Sequence, residues 1–130
     1  MKRLKYEADV KNWLLRANQD LEWAKATLVA KLYTQACFIT QQVAEKALKA
    51  FMLSQEMVPP KTHSLPRLLQ DCLEFDNAFK KFKNKVEILD KYYAPTRYPD
   101  LGIDEEYTKK KAEEALEDAE EILNFVKTKI

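Results

Sequence analysis

Glycine and proline are almost absent from this chain: there is one glycine, Gly102, and the five prolines fall at Pro59, Pro60, Pro66, Pro95 and Pro99. These residues punctuate turns, so their confinement to two regions leaves long stretches that only helices satisfy, and the chain is expected to be all-α. At 130 residues it is long enough for one domain with a real core, spanning 1–130, and too short for two. Hydrophobic residues make up 46% and charged residues 33%, a globular balance far from that of disorder. The 22 Lys and Arg against 21 Asp and Glu leave a net charge of +1, so any attraction for nucleic acid or anionic lipid needs a local patch. The basic start Met1-Lys2-Arg3 has no apolar run after it, and no window approaches the roughly 18 apolar residues of a membrane span. A soluble, cytoplasmic protein is expected.

The helices are legible from their apolar spacing. Val10, Leu14, Ala17, Leu21, Ala24 and Leu28 recur at fours and threes in a first helix of about 8–31. Trp13, Arg16, Asp20, Trp23 and Thr27 form a second seam beside them. Arg16 and Asp20 stand four apart for an ion pair, and the two Trp suggest either a subunit interface or a covered core edge. A second helix, about 33–54, is apolar around most of its circumference. Its polar residues Gln41, Gln42, Glu45, Lys46 and Lys49 share one arc with Phe38 and Met52, expected to face solvent or a partner. After the connector 57–61, Thr62 or Ser64 caps a short helix that tolerates Pro66 in its first turn and buries Leu65, Leu68, Leu69 and Cys72.

A fourth helix carries Phe75 or Phe79, Phe82, Val86, Leu89 and Tyr93, and stops at Ala94 because Pro95 cannot continue it. Asp104 followed by Glu105 and Glu106 reads as an N-cap with acidic first-turn residues. The last helix runs to about Lys127 with Ala112, Ala115, Ala119, Ile122, Leu123 and Val126 on one face. Four long helices with connectors of moderate length make an antiparallel up-and-down four-helix bundle with an additional short helix.

Most enzyme constellations are missing. One histidine, His63, cannot supply the paired Glu-x-x-His motifs of a di-iron bundle, and one glycine cannot build a phosphate-binding glycine loop. Cys37 and Cys72 sit among apolar helix residues without CxxC or Cys/His spacing, so they read as reduced core residues; no metal and no cofactor is expected. What remains is the polar-aromatic segment Tyr92-Tyr93-Ala94-Pro95-Thr96-Arg97-Tyr98-Pro99-Asp100, whose chemistry packing does not require.

The run Gln41-Gln42-Val43-Ala44-Glu45-Lys46-Ala47-Leu48-Lys49-Ala50, followed by Thr62-His63-Ser64-Leu65 and then by Arg97-Tyr98-Pro99-Asp100, resembles the HEPN domain family of higher eukaryotes and prokaryotes. The resemblance covers nearly the whole chain. It implies a bundle that forms homodimers, often encoded beside a small nucleotidyltransferase as a toxin and antitoxin pair. Some members are metal-independent ribonucleases with an Arg, four to six residues, then a His. Arg97 matches the first element, but Gly102, Ile103 and Asp104 occupy the positions where the His belongs. The expected function is therefore a module that binds a nucleotide or RNA, or docks a nucleotidyltransferase, through Arg97, Tyr98, Asp100, Tyr93 and the arc of Gln42, Glu45, Lys46 and Lys49.

Arg97 suits bidentate phosphate binding, or else an ion pair with Asp100 or Glu45 that clasps the loop. Tyr92, Tyr93 and Tyr98 offer faces for a base, although Tyr93 lies on the apolar stripe and is expected in the core. His63 is the one side chain suited to acid/base work near neutrality, and otherwise a local hydrogen-bonding residue at a helix start. Lys46 and Lys49 either add positive charge to the site or are ordinary exposed lysines. The alternative functions are a ribonuclease that uses Arg97 and His63 as its weak catalytic pair, and a purely structural interaction domain.

Overall fold

The computed structural model describes residues 5–93 and 107–130, and every described helix belongs to one bundle. Helix α1 is Glu7–Val29, α2 is Tyr33–Ser54, α3 is Leu65–Leu73, α4 is Lys83–Asp90 and α5 is Lys109–Lys129, with a 3-10 segment Asn77–Phe82 leading into α4. Helix α2 is the centre: it packs against α1, α3, α4 and α5. Its Cys37, Ile39, Val43, Ala44, Ala47, Leu48, Phe51 and Met52 are all buried, and the larger of these contribute about 1.5–3 kcal/mol each. The face read for the last helix is the face that α5 buries, with Ala112, Ala115, Ala119, Ile122, Leu123 and Val126 against the bundle.

Helices α1 and α2 both stop without the glycine that usually ends one. Lys31 and Glu56 adopt φ of 64° and 62°, the left-handed conformation that a side chain disfavours. Lys31 N–H donates to Leu28 O at 3.0 Å while Leu32 N–H donates to Thr27 O at 2.9 Å. Glu56 N–H donates to Leu53 O at 2.9 Å while Met57 N–H donates to Met52 O at 3.0 Å. These are paired Schellman bonds, which satisfy carbonyls that the helix leaves open. Because Lys31 is exposed, Lys31→Gly relieves its strain; an increase in stability of about 0.5–1 kcal/mol is expected in urea unfolding.

Helix α3 begins as its sequence suggests. Ser64 Oγ accepts from Arg67 N–H at 3.3 Å and Pro66 stands in the first turn, where its missing donor costs nothing. The fourth helix does differ from its sequence pattern. It is broken into a 3-10 segment, capped by Asp76 accepting from Ala78 N–H at 2.9 Å, and a short α-helix. Of the two candidate positions, Phe79 is fully buried and Phe75 is exposed. At the end of α4 it is Tyr92 that enters the core; Tyr93, expected there, is half-buried. The chain turns at Lys91–Tyr93, so continuing a straight 3.6-residue stripe from Leu89 to Tyr93 selects the wrong tyrosine.

Asp104 lies outside the described residues, as do Arg97, Tyr98 and Asp100. The described start of α5 is capped by Thr108, which accepts from Lys111 N–H at 3.2 Å. No described helix is long and apolar enough to cross a membrane.

Candidate functional site

Helix α2 carries Gln41, Glu45 and Lys49 at intervals of four, which aligns them in one row along the helix. The row was expected to face solvent or a partner, but Gln41, Glu45 and Lys49 are buried, as is Met52 on the same arc. The reason is that α1 and the connector after α2 lie over it. Helix α1 contributes Trp13, whose ring centroid is 5.6 Å from Lys49 Nζ, and Asp20, which takes Lys46 Nζ in an ion pair. The Arg16 to Asp20 pairing suggested by their spacing is thus replaced by a contact between helices.

Glu45 is the hub. Its Oε2 accepts from Lys49 Nζ at 3.0 Å, and its Oε1 faces His63 Nδ1 at 3.0 Å and Gln41 Nε2 at 3.4 Å. Gln41 Nε2 also donates to the backbone carbonyl of His63 at 2.9 Å, and Gln42 Nε2 donates to Gln41 Oε1. The connector is therefore pinned to α2 at His63 by both ring and backbone. A carboxylate oxygen only accepts, so the contact places the imidazole proton on Nδ1 and leaves Nε2 without a partner among the described residues. The His63 side chain remains 56% exposed. Its ring stacks on Tyr93, with centroids 4.6 Å apart and planes at 19°, and Tyr93 in turn meets Phe38 at 5.9 Å.

Of the residues singled out from sequence, the structure brings together His63, Glu45, Lys49, Tyr93 and, through Gln41, Gln42. Lys46 is turned to Asp20 instead. Arg97, Tyr98 and Asp100 are outside the described residues, so the loop end of the site is known only by sequence. Gln41 belongs to the arc read from the sequence; Trp13 was not expected at the site, and the Trp seam of α1 was the available signal for it.

The cysteines take no part. Both are buried thiols outside any disulfide, and burial pushes the Cys72 thiol up to about 12, with the Asp71 carboxylate adding to the effect. Among the described residues, no three His, Cys, Asp or Glu side chains converge in a group that could hold a metal ion.

The all-helical bundle that carries this polar row matches a known class of helical domain. The HEPN domain model matches residues 10–129, and the chain is a member of the HEPN domain family. A protein of Methanocaldococcus jannaschii named "Putative toxin MJ1304" is 32% identical, over 90% of this chain and 85% of its own length. The crystal structure of TT1696 from Thermus thermophilus superposes with a TM-score of 0.86 at 39% identity, covering 93% of this chain and 98% of that one. The crystal structure of ST0689, described as an archaeal HEPN homologue, gives a TM-score of 0.76 at 34% identity, covering 99% and 98%.

Proposed function

We propose that this chain is a toxin-like HEPN module that binds the phosphates of a nucleotide or RNA beside His63, and that it works as a homodimer with a separately encoded nucleotidyltransferase. The observation that carries the reading is the Glu45 hub, in which Glu45 takes the His63 ring, Gln41 takes its backbone carbonyl and Lys49 pairs with the Glu45 carboxylate. The pinned ring stacks on Tyr93, and Arg97 follows Tyr93 by four residues. Four residues span at most about 14 Å, so covalent reach allows an Arg fork and the imidazole to serve one phosphate. The relative named as a toxin supports the same direction, and Tyr98, next to Arg97 in the sequence, offers a further aromatic face for a base.

The test is thermal unfolding with nucleotides and with short RNAs. A ligand present at about a hundred times its Kd stabilises the folded state by about 2.7 kcal/mol, a clear upward shift in Tm. Arg97→Ala is expected to abolish that shift without changing the Tm of the free protein. The reading is wrong if millimolar nucleotide and micromolar RNA both leave the wild-type Tm unmoved. Co-purification with the product of an adjacent nucleotidyltransferase gene tests the partner.

One observation favours a second reading, a ribonuclease. An imidazole held through Nδ1 by a carboxylate, with Nε2 open to a substrate, is placed as a general acid or base needs to be, and Arg97 supplies charge for a phosphorane-like transition state. On this reading, purified protein cleaves RNA and His63→Ala slows cleavage about 100-fold or more. RNA left intact by the wild-type protein removes it.

A further inference from the structure

Beside His63 lies a cavity of about 500 Å³ between the start of α1, the end of α2 and the connector, with Trp13, Asp9, Lys49, Pro60, Lys61 and His63 among its lining residues. We propose that this cavity is a subsite for a nucleobase that carries an exocyclic amino group. The assignment rests on the reading of the protein as a nucleotide or RNA binder and names the part of the ligand that this face selects.

The cavity has the size of a small-molecule site. Its walls are mostly apolar and stiff: Leu53 is buried, Val58 is exposed, and Pro59 and Pro60 have fixed φ and no donor to offer. Trp13 supplies an aromatic surface on which a base can stack, for about 1–3 kcal/mol. The ammonium of Lys49 lies near that indole but is already matched by Glu45, so the cavity is a weak trap for a bare phosphate. It suits a neutral flat ring.

Asp9 settles which ring. It is an exposed carboxylate in the first turn of α1, able to accept from the amino group of adenine, cytosine or guanine. Uracil presents carbonyl oxygens in place of that amino group, and these face a carboxylate unfavourably. The phosphate attached to a base bound here has cations within reach: Lys61 lines this cavity, and a smaller one of about 240 Å³ shares Asp9 and Trp13 with it and adds Arg16 and Lys46.

Trp13 itself reports on occupancy once the exposed Trp23 is replaced, because the chain has two tryptophans. In a Trp23→Phe background, AMP and CMP are expected to quench Trp13 emission saturably. UMP should act at least tenfold more weakly, and ribose 5-phosphate not at all. Asp9→Asn, checked for an unchanged Tm, should weaken AMP about tenfold and leave UMP unaltered. If nucleotides still raise the Tm of this protein while Trp13 emission does not respond, binding is elsewhere and the subsite is refuted, with the proposed function intact. If Tm and emission are both unmoved, the two readings fall together. Equal quenching by AMP and UMP, insensitive to Asp9→Asn, overturns the selection of an amino-bearing base.

Discussion

Glu45→Ala is expected to destabilise the protein by about 3–5 kcal/mol, the cost of leaving one member of a buried ion pair without its partner. Glu45 and Lys49 side chains are only 6% and 10% exposed, and the pair sits between α2 and α1 where water has little access. Removing the carboxylate strands the Lys49 ammonium over Trp13 and deprives His63 Nδ1 and Gln41 Nε2 of their acceptor. A domain of this size is stable by about 5–15 kcal/mol, so the substitution removes a large part of the total. The pair itself is a different quantity from the cost of breaking it. Replacing both residues, as Glu45→Gln with Lys49→Met, should recover most of the loss, because neither charge then has to be desolvated. Urea unfolding of Glu45→Gln, Lys49→Met and the double variant gives the coupling as a cycle, and additive losses would show that the pair is not the hub described.

Much of this fold was open to reading from sequence, and the failures have a common cause. The bounds of α2, the buried face of α5 and the Ser64 cap follow from period and capping chemistry, which are local. The polar arc of α2 was misplaced because burial is not local. A glutamate and a lysine four apart look the same on a solvated face as they do beneath α1 and the connector; only the covering elements distinguish the two. The same holds for Asp20, whose partner Lys46 is 26 residues away on another helix. The helix stops at Lys31 and Glu56 gave no warning, since the glycine signal is absent and the Schellman bonds alone hold the left-handed turn. For the candidate site, the sequence supplied His63, Glu45 and Lys49 separately. Their convergence depends on the connector folding back to place the His63 carbonyl on Gln41, 22 positions earlier.

The break before α4 leads to the second large effect, Phe79→Ala, expected to cost about 3–5 kcal/mol. Read at 3.6 residues per turn, Phe75 and Phe79 are equally good first positions of one stripe. In a 3-10 segment residues three apart eclipse, so Phe79 and Phe82 point the same way and Phe75, before the segment, is left outside. Phe79 then sits among three rings: Phe51 of α2 at 4.5 Å, Phe125 of α5 at 5.0 Å in an edge-to-face arrangement, and Phe82 at 6.4 Å. Truncation to alanine deletes contacts to all of them and opens a cavity that α2 and α5, held by the rest of the core, cannot close. The 3-10 segment has weaker backbone bonding than an α-helix, so its position depends on this ring more than a regular helix would. A fall in Tm of roughly 10–20 °C is expected by calorimetry. Phe75→Ala, at an exposed position, should change the Tm by no more than about 2 °C. Equal losses at the two positions would mean that the stripe continues as a regular helix through Phe75 and that the 3-10 register is wrong.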